Sequence, residues 1–75
     1  MDTLLELRRR KRLSQAQVAQ NLSIAQQYYS RIESGLAKPT PALGEKIAHF
    51  FGLSIEQMWT ILYHPNQQGG ETNAS

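Results

Sequence analysis

The sequence predicts an all-α domain, a compact bundle of five short helices. Three observations carry that prediction. Apolar residues recur at helical spacing throughout an ordered region of about residues 2–63. Ser14, Thr40 and Ser54 stand at the heads of such stretches in N-cap patterns. Nothing alternates apolar with polar long enough to make a strand. With 75 residues and 8.5 kDa there is room for one thin core and no second lobe.

The first helix is expected over Thr3–Arg12, with Leu4 and Leu7 on one face and Leu5 beside them. Ser14 and Gln17 form a capping-box pattern, and the second helix follows at about Gln15–Leu22, burying Val18, Ala19 and Leu22. Ser23 and Ile24 make a short turn. A third helix runs about Gln26–Ser34, with Tyr29 and Ile32 inward and Gly35 placed to end it in a left-handed conformation. Leu36–Thr40 is a loop. Thr40 followed by Pro41 reads as an N-cap with proline at the first helical position. The fourth helix carries Leu43, Ile47, Phe50 and Phe51 at helical spacing and stops at Gly52. Ser54 with Gln57 repeats the capping box, and the fifth helix runs about Ile55–Leu62. The remainder, 64–75, has no large apolar residue and is expected to be a mobile tail.

Composition narrows the function. There is no Cys, hence no disulfide framework, thiolate nucleophile or Cys-based zinc site. His49 and His64 lie in unlike surroundings and are expected at the surface, so no metal or cofactor is expected. No apolar run approaches the roughly 18 residues needed to span a bilayer. The charge order at the N-terminus is the reverse of a secretory signal, so a cytoplasmic location is expected. No nucleophile–base pair suggests an enzyme, and no small-molecule substrate is implied. The net charge of +2 hides an asymmetry. Residues 1–50 hold all eight basic side chains and sum to +4, whereas 51–75 sum to −2. The basic part suits a polyanion.

The informative stretch is Gln15–Ser34. Two short helices meet across a tight turn, a small residue at Ala19 permits close approach, and the second helix has a polar outer face. That arrangement places a second helix in the major groove of DNA. The segment SQAQVAQNLSIAQQYYSRIESG resembles the helix-turn-helix of the lambda-repressor and Cro-like (XRE) regulators. LRRRKRLSQ resembles that family's first helix, and KPTPALGEKIAHFFGLSIEQM its fourth and fifth. The resemblance covers about residues 4–62 and includes Arg8, Gln15, Ala19, Glu33, Gly35 and Pro39.

The resemblance implies a lambda-repressor-like fold and a set of roles. Gln15 is expected to contact a phosphate and buttress the start of the third helix. Gln26 and Gln27 occupy the first turn of the recognition helix, where glutamines read base edges. A Gln amide pairs bidentately with adenine N6 and N7. Tyr28, Ser30, Arg31 and Ser34 continue the outward face, and Arg31 suits guanine or a phosphate. Lys38 falls where the family grips the backbone. Arg8 and Glu33 are expected to form a partly buried structural pair. Arg10 and Arg12, nearest the second helix, are phosphate candidates, whereas Arg9 and Lys11 read as solvated surface. Gln17 and Gln20 read as plain surface.

Three residues depart from the family pattern. Ala25 replaces the Ser or Thr N-cap of the recognition helix, a loss of roughly 1 kcal/mol. Ser23 stands where Gly is common, although positive φ disfavours a side chain. Tyr29 replaces the usual aliphatic core residue.

Near the C-terminus the apolar residues exceed what the core requires. Leu43, Ile47, Phe51, Leu53 and Met58 suffice by spacing. Trp59, Leu62, Tyr63 and Phe50 are a surplus, expected to form a homodimer interface. The leading reading is therefore a homodimeric regulator of transcription, in all expectation a repressor, binding double-stranded DNA at an inverted repeat. The alternative is an antitoxin-like module that neutralises a protein partner and regulates its own operon.

Overall fold

The computed structural model describes residues 3–63. Within them no strand occurs, and five α-helices follow in order: α1 (Leu4–Arg10), α2 (Gln15–Leu22), α3 (Gln26–Glu33), α4 (Pro41–Phe51) and α5 (Ile55–Met58). The last runs on into a π-helical segment, Trp59–Tyr63. The expected tail, 64–75, with His64, lies outside the described residues, as do Met1 and Asp2.

Local chemistry sets most helix starts. At α2, Ser14 Oγ accepts the Gln17 N–H at 3.1 Å and Gln17 Oε1 accepts the Ser14 N–H at 2.8 Å. Ser54 and Gln57 do the same for α5 at 3.1 and 2.9 Å. Thr40 Oγ1 caps α4 by accepting from Leu43, with Pro41 in the first turn. A further capping box opens α1, where Thr3 and Glu6 exchange bonds of 3.0 and 3.2 Å. Thr3 is thus the cap of α1, not its first residue. Ala25 precedes α3 with no side-chain bond to the helix.

The first four helices all end on one device. An N–H two or three residues past each helix reaches back five positions: Leu13 to Arg8, Ile24 to Ala19, Leu36 to Arg31 and Leu53 to Ala48. The residue just before each of these donors is left-handed: Arg12 (φ 58), Ser23 (φ 61), Gly35 (φ 83) and Gly52 (φ 70). This is the Schellman turn, with an apolar residue immediately after it. It ends α1 at Arg10, two residues before the expected Arg12, because Arg12 itself turns left-handed.

The core draws Leu4 from α1, Val18, Ala19 and Leu22 from α2, and Tyr29 and Ile32 from α3. From the C-terminal half come Leu43, Ile47, Ala48, Phe51, Met58, Ile61 and Leu62. Ala19, small and buried, lies where α2 packs on α3, and α2 also contacts α4. Periodicity predicts an α-helix to Leu62, but the chain is α-helical only to Met58. In the wider π-turn that follows, Ile61 and Leu62 both face inward. Leu62, only 3% exposed, therefore belongs to the core, which corrects its expected place at an interface.

Candidate nucleic-acid interface

The carboxylate of Glu33, at the end of α3, ties three helices together. Arg8 on α1 donates to both of its oxygens, Nε to Oε2 at 2.8 Å and Nη2 to Oε1 at 3.0 Å. Arg8 Nη1 reaches the Leu13 carbonyl at 2.9 Å. Gln15 on α2 donates its amide to Oε1 at 2.8 Å, and the Tyr29 hydroxyl donates to Oε2 at 2.9 Å. Four donors thus converge on one carboxylate whose side chain is 6% exposed. Burial by itself raises the Glu33 carboxyl. The hydrogen bonds from Arg8, Gln15 and Tyr29 outweigh it and hold the group below the usual carboxylate range. The bond to Glu33 in turn raises the Arg8 guanidinium. The Tyr29 phenol is pushed well above its ordinary value, first by burial and then by the negative Glu33 beside it.

The node adds a contact to those expected of Gln15. Its side chain also holds the end of α3 through Glu33, a strong acceptor. The ring of Tyr29 fills the core, and its hydroxyl supplies the partner that an aliphatic residue could not.

On α3 the opposite face is polar. Gln26, Ser30 and Ser34 stand four apart, as do Gln27 and Arg31, and together they make one stripe. Gln15, Gln26, Gln27, Ser30 and Arg31 line a single open depression of about 450 Å³. The depression offers amide donors and acceptors, a hydroxyl and a guanidinium, with no carboxylate among its lining residues. The only acid on α3, Glu33, is turned inward against Arg8. Tyr28 departs from the expected outward face. It falls beside Ile32 around the helix and is half-buried against the core. Ser34 is exposed, but its hydroxyl donates to the Ser30 carbonyl at 2.9 Å.

The basic candidates flank this surface in sequence. Arg10 is exposed at the end of α1, and Arg12 is exposed in the turn before α2. Lys11 is not simply solvated, because its ammonium sits 5.4 Å over the ring of Phe50. Lys38 is exposed in the loop between α3 and α4. That loop is fastened at both ends. Leu36 and Ala37 both donate to the Arg31 carbonyl, at 2.8 and 3.1 Å. Farther on, the Tyr63 hydroxyl donates to the Pro39 and Thr40 carbonyls at 3.0 and 3.3 Å.

A second surface lies on the C-terminal side. Pro41, Glu45, Ala48, His49, Leu53, Ile55, Met58, Trp59 and Tyr63 line an apolar groove of about 600 Å³. Trp59 is 51% exposed and its ring lies 4.8 Å from that of Tyr63. Phe50 and Tyr63 are only half-buried, and Phe50 stands edge-on to Phe51. Ile55, 72% exposed, adds to the apolar surface. Sequence reasoning placed it only at the start of a helix. The sequence offered no signal for its exposure, since the apolar Phe51 stands four positions earlier at helical spacing.

A family model described as helix-turn-helix matches residues 4–58 of the chain. No curated protein and no solved structure matches it significantly.

Proposed function

The chain belongs to the lambda-repressor-like (XRE) helix-turn-helix family of DNA-binding regulators, and we propose that it is a repressor binding an inverted-repeat operator as a homodimer. The observation that carries this reading is the depression shared by Gln15, Gln26, Gln27, Ser30 and Arg31. It gathers flexible hydrogen-bonding groups on the exposed stripe of the recognition helix α3 and turns the helix's one acid away. Such groups suit base edges: glutamine the adenine edge and arginine the guanine edge. Arg10, Arg12 and Lys38 supply phosphate contacts that fix register.

In this reading two copies meet through the groove beside Trp59 and Ile55. The two recognition helices then enter successive major grooves, about 34 Å apart. Occlusion of a promoter by the bound dimer accounts for repression. In this reading the protein acts in the cytoplasm.

Selection of duplexes from a random library, repeated at two salt concentrations, tests this. The expected outcome is an enriched inverted repeat with half-sites one helical turn apart. Salt-dependent binding with no enriched sequence would remove the base-reading role and leave only phosphate attraction.

A further inference from the structure

The Tyr63 hydroxyl reaches across from the π-helical segment to the loop that carries Lys38, donating to the successive carbonyls of Pro39 and Thr40. Thr40 is also the cap of α4, and its carbonyl accepts the Gly44 N–H at 2.7 Å. The opposite end of the loop is held by the Arg31 carbonyl, on the exposed stripe of α3. Lys38 lies between those two anchors. Pro39 follows it and restricts its backbone to extended conformations, and Pro41 does the same for Thr40. The loop is therefore short, stiff and pinned at both ends.

Room for the second anchor comes from one glycine. A Cβ on Gly44 would fall 2.5 Å from Tyr63 Oη, so any side chain there displaces the hydroxyl. Gly44 sits inside α4, where glycine weakens a helix relative to alanine. Its presence is explained by the hydroxyl that packs on it. Burial, and next the neighbouring Tyr28, raise the Tyr63 phenol above its ordinary value.

We propose that Tyr63 is a positioning residue for DNA binding: its hydroxyl, seated on Gly44, fixes the loop so that Lys38 is presented to a DNA phosphate in register with the α3 stripe. The inference rests on the DNA-binding reading given above. Tyr63 itself need not touch DNA.

The test uses Tyr63→Phe, which keeps the ring, and Gly44→Ala, which strengthens α4 but displaces the hydroxyl. The probe is a labelled mixed-sequence duplex spanning two successive major grooves, titrated across a salt series. Each variant is expected to bind roughly fivefold more weakly at 0.15 M salt, with a salt slope smaller by about 0.9, the share of one phosphate contact. Adding Lys38→Ala to Tyr63→Phe should weaken binding no further than Lys38→Ala alone. Amide hydrogen exchange at Leu36 and Ala37 should quicken in both variants. Ile61→Val serves as a control that softens the same segment's core packing, and its slope should stay at the wild-type value. An unchanged slope in Tyr63→Phe, an additive double variant, or an equal slope change in Ile61→Val overturns the proposal and leaves the DNA-binding reading standing. A wild-type protein without salt-dependent binding overturns both.

Discussion

Tyr29 donates its hydroxyl proton to the Glu33 carboxylate one helical turn later, so the recognition helix braces its own end from within the core. The same carboxylate receives Arg8 and Gln15, and the first three helices share one polar joint.

Replacing Tyr29 with Phe keeps the ring and removes one of four donors. A hydrogen bond to a charged group contributes about 1.5–3 kcal/mol, and three donors remain, so a loss near the lower end is expected. Urea denaturation measures it. The phenol's value is raised in the folded state, so the stability it confers is present below about pH 10 and drains as pH rises beyond that. Alkaline unfolding should accordingly be shallower in Tyr29→Phe. An unchanged urea midpoint would mean the hydroxyl contributes nothing.

Glu33→Gln keeps the shape but leaves Arg8 without its charge partner. Breaking a largely buried pair is expected to cost about 3 kcal/mol. The carboxyl value is lowered on folding, so its contribution is present above about pH 4.5, the unfolded value, and is lost as pH falls through the folded one. The wild type should lose stability on acidification in that window, and Glu33→Gln should lose less. Identical acid limbs for the two proteins would assign acid sensitivity elsewhere.

Gln27→Ala should weaken binding to the selected operator by about 1–3 kcal/mol and leave a random duplex unaffected. Parallel titrations of the two duplexes read this directly. Equal losses on both would take Gln27 out of base recognition.

Ser23→Gly should stabilise the fold. A left-handed non-glycine residue costs roughly 1–2 kcal/mol, and glycine's greater freedom in the unfolded chain returns about 0.5–1 kcal/mol of that. The expected net gain is about 0.5–1 kcal/mol, seen as a higher thermal midpoint. A lower midpoint would show that the exposed Ser23 side chain contributes more than its backbone strain costs.

Trp59→Asp should weaken self-association by about 2 kcal/mol, roughly thirtyfold, if the groove is the dimer surface. The half-exposed Trp59 is not part of the core, so helicity by circular dichroism should persist. Sedimentation equilibrium decides the point. Unaltered association would move the interface off this face.

Boundary signals were legible because they act within a few residues. The Ser14–Gln17 and Ser54–Gln57 boxes, the Thr40–Pro41 start and the glycines at 35 and 52 all announce themselves locally. Arg12 hid a helix stop because nothing in an arginine predicts positive φ. Leu62 looked surplus although it stands four residues after the buried Met58, on the same side of a helix; the earlier apolar residues alone had seemed enough to fill the core. Long-range polar contacts were the least accessible. No spacing rule joins Arg8 to Glu33 across 25 positions, and only the family resemblance pointed there. The hydroxyl of Tyr63 on the Pro39 carbonyl, 24 positions away, had no signal at all.

The four Schellman turns bear on time as well as shape. Each helix is told where to stop by a bond spanning six residues, before any distant part of the chain has arrived. With the helix ends set locally, the contacts are mostly short-range, and topologies of this kind fold in microseconds to milliseconds. Synthesis at about 5–20 residues per second is far slower. The folded chain therefore follows translation with almost no lag.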